Sequence, residues 1–196
     1  MADKLSVIND ALVLTGNNPT NTLGDGSPED LVAQVAFQHA VDYVLASHNW
    51  NFATEWVEPT LIGPSDPDDY GTYTSVYQVP DGTLQTIKVA VNGMLTSYRI
   101  VGGDLYLSPG SGHVSVLRVV DPGPDQWPAL FKRAVHYILM AHLYRGLNED
   151  PGEAIRTESL GEEALSQART RTDQQQRAGA IFIPTARKIR MERRGG

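Results

Sequence analysis

Along the chain, apolar positions follow a helical period, shorten to a strand-like alternation, and then return to the helical period. In KLSVINDALVLT (residues 4–15), Leu5, Ile8 and Leu12 fall on one helical face, and Val7, Ala11 and Leu14 widen the stripe. Gly16, Asn17, Asn18 and Pro19 then stop the helix. After the polar loop NPTNTLGDG, Ser27 can cap a second helix, Pro28 suits its first turn, and Glu29 and Asp30 oppose its dipole. That helix runs through LVAQVAFQHAVDYVLASHNW, with Leu31, Val35, Tyr43 and Val44 among its expected buried positions. Its ~20 residues make a rod of roughly 30 Å.

From residue 50 to about residue 120 the runs are short and β-type: FATEWVEPTL, SVYQV, LQTIKVAV, MLTSYRIV, DLYLS and HVSVLRVV. Pro59, Pro64, Pro67 and Pro80 punctuate them, and Asn92-Gly93 and Gly102-Gly103 read as hairpin turns. Connections this short predict an antiparallel meander of about four or five strands, a small lobe and not a parallel sheet.

Helical spacing resumes in DQWPALFKRAVHYILMAHLYRGL, where Trp127, Leu130, Phe131, Ala134, Val135, Ile138 and Leu139 align and Pro128 sits in the first turn. Asn148, Pro151 and Gly152 break it. A more polar helix follows, roughly residues 153–177, with Ala154, Leu160, Ala164 and Ala168 as a modest apolar face. The stretch IFIPTARKIRMERRGG reads as an arm. The expected fold is therefore α+β: a four-helix bundle (1–49 and 125–177) with a small antiparallel β lobe (50–124) inserted between the second and third helices. An extended basic C-terminal arm (178–196) completes it.

Composition narrows the classes without choosing one. The chain's 196 residues suffice for one domain with a real core, and no apolar stretch approaches the ~18 to 20 residues needed to cross a membrane. The start, MADKLSVIND, lacks the basic-then-apolar pattern of a secretory signal. With no cysteine there is no disulfide framework and no thiolate zinc site, which suits a reducing cytoplasm. Net charge is −7, but residues 1–176 carry −12 and residues 177–196 carry +5. The body repels nucleic acid on average, while the basic end can meet an anionic partner or simply aid solubility.

The sequence offers little catalytic chemistry. It contains no phosphate-cradling glycine loop, no G-x-S-x-G elbow and no H-E-x-x-H pair. The histidines (His39, His48, His113, His136 and His142) are scattered, and the last two, six apart on a helix, point to different faces. They read as packing or surface residues. Asp66, Asp68 and Asp69 in SDPDDY offer oxygen ligands to calcium, yet the loop lacks the glycine and distal glutamate of a calcium hand and reads as solvated. No catalytic, metal-binding or cofactor-binding residue emerges, so the expectation is a protein that is not an enzyme and needs no cofactor.

Four stretches in order, LSVINDALVLTGNNP, LASHNWNFA, YQVPDGTLQTIKV and WPALFKRAVHYILMAHL, resemble the tail tubular protein A family, the head-to-tail adaptors of short-tailed bacteriophages. Those chains carry an "ALxLLG-x-x-P" helix, a long helix ending in "HPWNFA", a "Y-x-L-P-x-D" stretch leading into a strand, and a late helix opening "P-x-x-F". The counterparts here are Ala11 to Pro19, His48 to Ala53, Tyr77 to Asp81, and Pro128 to Phe131. The likeness extends to about residue 170, and WNFA is its most specific part. Two departures stand out: Asn49 replaces the usual proline, and the Pro80-Asp81 step is one residue tighter.

The resemblance implies a structural virion protein, assembled in the host bacterial cytoplasm. It would form a homo-oligomeric ring, generally a dodecamer, between the portal protein and the tail nozzle protein. Genomic DNA would pass through the lumen without sequence-specific contact. The arm, with Ile181, Phe182 and Ile183 ahead of Arg187, Lys188, Arg190, Arg193 and Arg194, would order on the portal. Trp50 and Phe52 read as a hinge pin between the long helix and the β lobe, with His48 and Asn51 tying loose backbone at the helix end. An exposed aromatic platform for a partner is the rival reading of that stretch. Two other functions stay open: a tail-associated glycan hydrolase using surface carboxylates, and a DNA-binding module using the basic tail.

Overall fold

A computed structural model describes residues 3–64, 73–108 and 112–177 of the chain. Four helices form the body: α1 (Lys4–Leu14), α2 (Pro28–Ala46), α3 (Ala129–Gly146) and α4 (Pro151–Arg177). Side-chain caps fix three of their starts. Asp3 accepts from Ser6 N–H, Ser27 from Asp30 N–H, and Asp150 from the N–H groups of Gly152 and Glu153. Each cap satisfies donors that a first helical turn leaves unpaired. Helix α3 is central and touches the other three. It buries Phe131, Ala134, Val135, Ile138, Leu139, Ala141 and Leu143.

Helix α2 corrects part of the sequence reading. Val44 is buried, but Leu31, Val35 and Tyr43 are exposed. The buried stripe is instead Ala33, Ala36, Phe37, Ala40, Val41, Val44 and Leu45. This helix is apolar nearly all round, so its pattern alone does not select a face. Its alanines allow α3 to come close, which turns the larger Leu31 and Val35 outward. Leu14 of α1 and Leu160 of α4, also read as core-facing, are likewise exposed, each lying beside the stripe its helix buries.

The region between α2 and α3 holds eight strands: β1 (Thr54–Val57), β2 (Thr60–Pro64), β3 (Ser75–Gln78), β4 (Gln85–Val91), β5 (Met94–Thr96), β6 (Tyr98–Val101), β7 (Asp104–Leu107) and β8 (Val114–Val119). They build two four-stranded antiparallel sheets, ordered β1-β8-β4-β5 and β2-β3-β7-β6. The class is α+β, but the expected four-helix bundle with one small β lobe is wrong. Two of the sequence's β-type runs bend and serve both sheets. FATEWVEPTL becomes β1 and β2, broken at Glu58-Pro59 because proline has no N–H to give the ladder. MLTSYRIV becomes β5 and β6, broken at Ser97 alone.

These bends place β1 and β2 at one end of the two sheet orders and β5 and β6 at the other. The two sheets thus share both corners and close into a flattened barrel with few free edges. Tyr77, Leu105 and Leu107 from one sheet meet Val89, Val114 and Val116 from the other in a shared core. The turn from β4 to β5 has positive φ at Asn92 (51°) and Gly93 (79°), and the turn from β6 to β7 at Gly102 (61°) and Gly103 (95°). That geometry matches the twist of tight hairpins. Between Thr86 and Lys88 the β4–β8 ladder slips by a bulge. There the Tyr98 hydroxyl donates to the Thr86 and Ile87 carbonyls at 3.1 and 3.3 Å.

Chain entry and exit from the barrel lie side by side, because Thr54 of β1 pairs with Val119 of β8. Arm residues 178–196 and the acidic trio Asp66, Asp68 and Asp69 lie outside the described residues. Among the described residues, no helix is long and apolar enough to cross a membrane.

Candidate functional site

The stretch SHNWNFA forms the joint between body and barrel. At the end of α2, the Ser47 hydroxyl and the Trp50 indole N–H both donate to the Val44 carbonyl, at 2.6 and 2.9 Å. With the Ser47 N–H at 3.3 Å, three donors thus serve one of the last carbonyls, which has no regular partner four residues on. Residues Asn51–Ala53 then make a single 3₁₀ turn. It is closed by Ala53 N–H to the Trp50 carbonyl at 3.0 Å and sealed to the returning chain by Val120 N–H to the Ala53 carbonyl at 2.9 Å.

Trp50 is 1% exposed and sits within a line of aromatic rings. It meets Phe131 edge-on at 5.1 Å between centroids, and Phe52 meets Phe131 edge-on at 4.8 Å. Phe131 in turn contacts Trp127 at 5.3 Å, and Trp127 stacks on Phe37 at 6.0 Å. Edge-to-face contacts of this kind add stability beyond buried area alone. The line runs from α2 through the start of α3 to the first residues of the barrel.

Ser47 and Trp50 hold the end of α2, while His48 and Asn51 reach toward α4, with His48 Nε2 3.2 Å from Asp173 Oδ1 and Asn51 Nδ2 3.5 Å from the Thr172 carbonyl. The four expected hinge residues therefore come together in space. Trp50 and Phe52 face the helical core, and His48 and Asn51 face the last turns of α4. The eight expected arm residues, Ile181 to Arg194, lie outside the described residues.

A second fixed point lies at the turn after β3. The Thr83 hydroxyl and N–H both bond the Pro80 carbonyl. Arg118 of β8 donates from Nη1 to the carbonyls of Pro80 (3.3 Å) and Asp81 (2.7 Å) and to Thr83 Oγ1 (3.1 Å). Its Nε and Nη2 hold Glu55 Oε1 of β1 at 3.1 and 2.8 Å. A planar guanidinium can serve several acceptors at once in fixed geometry, which lysine cannot do. The sequence offered no signal for this role, since Arg118 stands alone in an apolar run.

Beside the joint, Trp50, Phe52, Leu130 and Phe131 on one side and α4 on the other enclose an apolar groove of about 310 Å³. On the outer side of α2, Leu31 and Val35 flank His39, whose ring meets His142 of α3 edge-on at 6.3 Å. Burial, helped by nearby Arg145 and His39, pushes His142 below the ordinary histidine value of 6.5. Burial also lowers His136, against an opposing pull from Asp10. Among the described residues, no three His, Cys, Asp or Glu side chains are placed to share a metal ion. No protein-family model matches this chain, and no curated protein matches it.

Proposed function

We propose that this chain is a head-to-tail adaptor of a short-tailed bacteriophage, a non-enzymatic virion protein that forms a ring between portal and tail nozzle. The observation that carries the reading is where the family-like stretches fall. HNWNFA is the joint from α2 into the barrel, YQVPD is β3 with the turn that Arg118 clamps, and PALF opens α3 against the same aromatic line. Residues that perform chemistry gather around a cleft, whereas these hold stiff parts in register, which is what a ring component requires.

Other features support the same role. Long helices around α3 make a rigid wedge for a closed ring. The barrel exposes Leu61, Ile62, Met94 and Leu95, apolar side chains of the kind that partner surfaces use. The acidic body discourages passing DNA from sticking, and the basic arm supplies a second, separate contact to the portal.

Electron microscopy of the purified chain, alone and mixed with the portal protein of its own virus, tests the proposal. A monomer that closes into a ring only on the portal is the expected result. Absence of both ring and portal complex at micromolar concentration would overturn it.

A further inference from the structure

We propose that the groove beside Trp50 is the seat of Ile181, Phe182 and Ile183 of the same chain. The wall that α4 supplies consists of Ala168, Arg171, Thr172 and Gln175. These are spaced as one face of a helix, so the groove runs lengthwise along α4 toward its end. Helix α4 stops at Arg177, just two residues past the last of them.

The chain that follows has the composition and the length to turn back. Ala178, Gly179 and Ala180 are small, and glycine readily adopts the left-handed conformation that reverses a chain after a helix. Three extended residues span about 10 Å. The wall from Ala168 to Gln175 rises by about the same distance. One reversal is therefore enough to bring the apolar triplet within reach of the groove, and Pro184 follows it in sequence.

An open apolar groove and three large apolar side chains lie within reach of each other, and each removes the other from water. At about 310 Å³ the groove falls at the lower end of ligand-sized pockets, roughly 300 Å³. A link this short gives an effective concentration in the millimolar range, which favours the chain's own segment over another copy in dilute solution. The inference stands on the groove and the sequence beyond it, and holds whether or not the protein is an adaptor. A partner that captures these residues must first lift them out.

The absence of cysteine makes a clean test possible. In the full chain, Ala129→Cys with Phe182→Cys joins an exposed groove residue to the centre of the triplet. Mild oxidation at low concentration is expected to give a monomer with an internal disulfide. Ser159→Cys with Phe182→Cys is the control, since Ser159 lies on the opposite side of α4 from Ala168. Equal yield from the two pairs, no disulfide in the first, or bonds only between chains would each overturn the proposal. Phe182→Asp provides a second reading, because it leaves the described fold untouched. Amide exchange at 129–131 and 171–175 is expected to quicken roughly tenfold in that variant. Unchanged exchange would count against the seat.

Discussion

Body and barrel are stabilised by different means. The helical core is a single cluster drawn from all four helices, and it extends through Trp50, Ala53 and Val119 into the joint. Among the described residues the barrel's own core is Tyr77, Val89, Leu105, Leu107, Val114 and Val116. Around so small a core, backbone ladders and polar clamps carry more of the work: Arg118 across three segments, and Tyr98 over the bulge. A body stabilised by packing loses most from lost volume, whereas a barrel stabilised by clamps loses most from lost partners.

The largest effect is expected at Trp50. Truncation to alanine removes the ring that joins α2, α3 and the barrel, and should cost about 3–5 kcal/mol in urea unfolding. Near-wild-type stability would return the stretch to the rival reading, an aromatic platform for a partner. Next comes Arg118→Ala, which takes the shared guanidinium away from the Asp81 carbonyl, Thr83 Oγ1 and Glu55 and leaves the Pro80 carbonyl to Thr83 alone. A loss of about 1–3 kcal/mol is expected in thermal unfolding, with Arg118→Lys recovering only part of it. If lysine restores full stability, the side chain acts through charge alone and the contrast between the regions weakens.

The smallest expected effect is a pH dependence, and it should be confined to the body. His136 and His142 both lie on α3, and burial lowers both below 6.5. The folded chain therefore binds fewer protons than the unfolded chain just below that pH. Stability is full above about 6.5 and falls as pH drops toward the lowered folded values. Denaturation midpoints measured across this window should slope in the native chain and flatten in the His136→Gln, His142→Gln pair. A slope that survives both substitutions would place its origin elsewhere.

Helix positions were legible because caps and stops are local. Ser27, Pro28 and Asn17 act on their immediate neighbours, and the structure places the end of α1 and the start of α2 where they indicate, whereas α2 stops at Ala46, short of the run through Trp50 that its pattern suggests. The buried face of α2 was not legible, because choosing between Leu31 and Ala33 depends on how closely α3 approaches. Both hairpin turns could be read from Asn92-Gly93 and Gly102-Gly103. The barrel could not, because closure depends on one strand bending between two sheets, and a run such as MLTSYRIV looks continuous until its pairings are known. At the candidate site, Trp50 was visible as a costly apolar residue at a helix end. Arg118 was invisible, because its partners are 35 or more residues away in sequence.

The pairing of Thr54 with Val119 also fixes a load path. Tension between α2 and α3 passes through Ala53 and Val120, whose hydrogen bond shorts the two together before any strand is strained. The barrel meets that circuit at more than the hydrogen bond, because Val119 of β8 lies in the helical core and Ile87 of β4 packs against it. A pull on the barrel therefore reaches the helices through packed side chains as well.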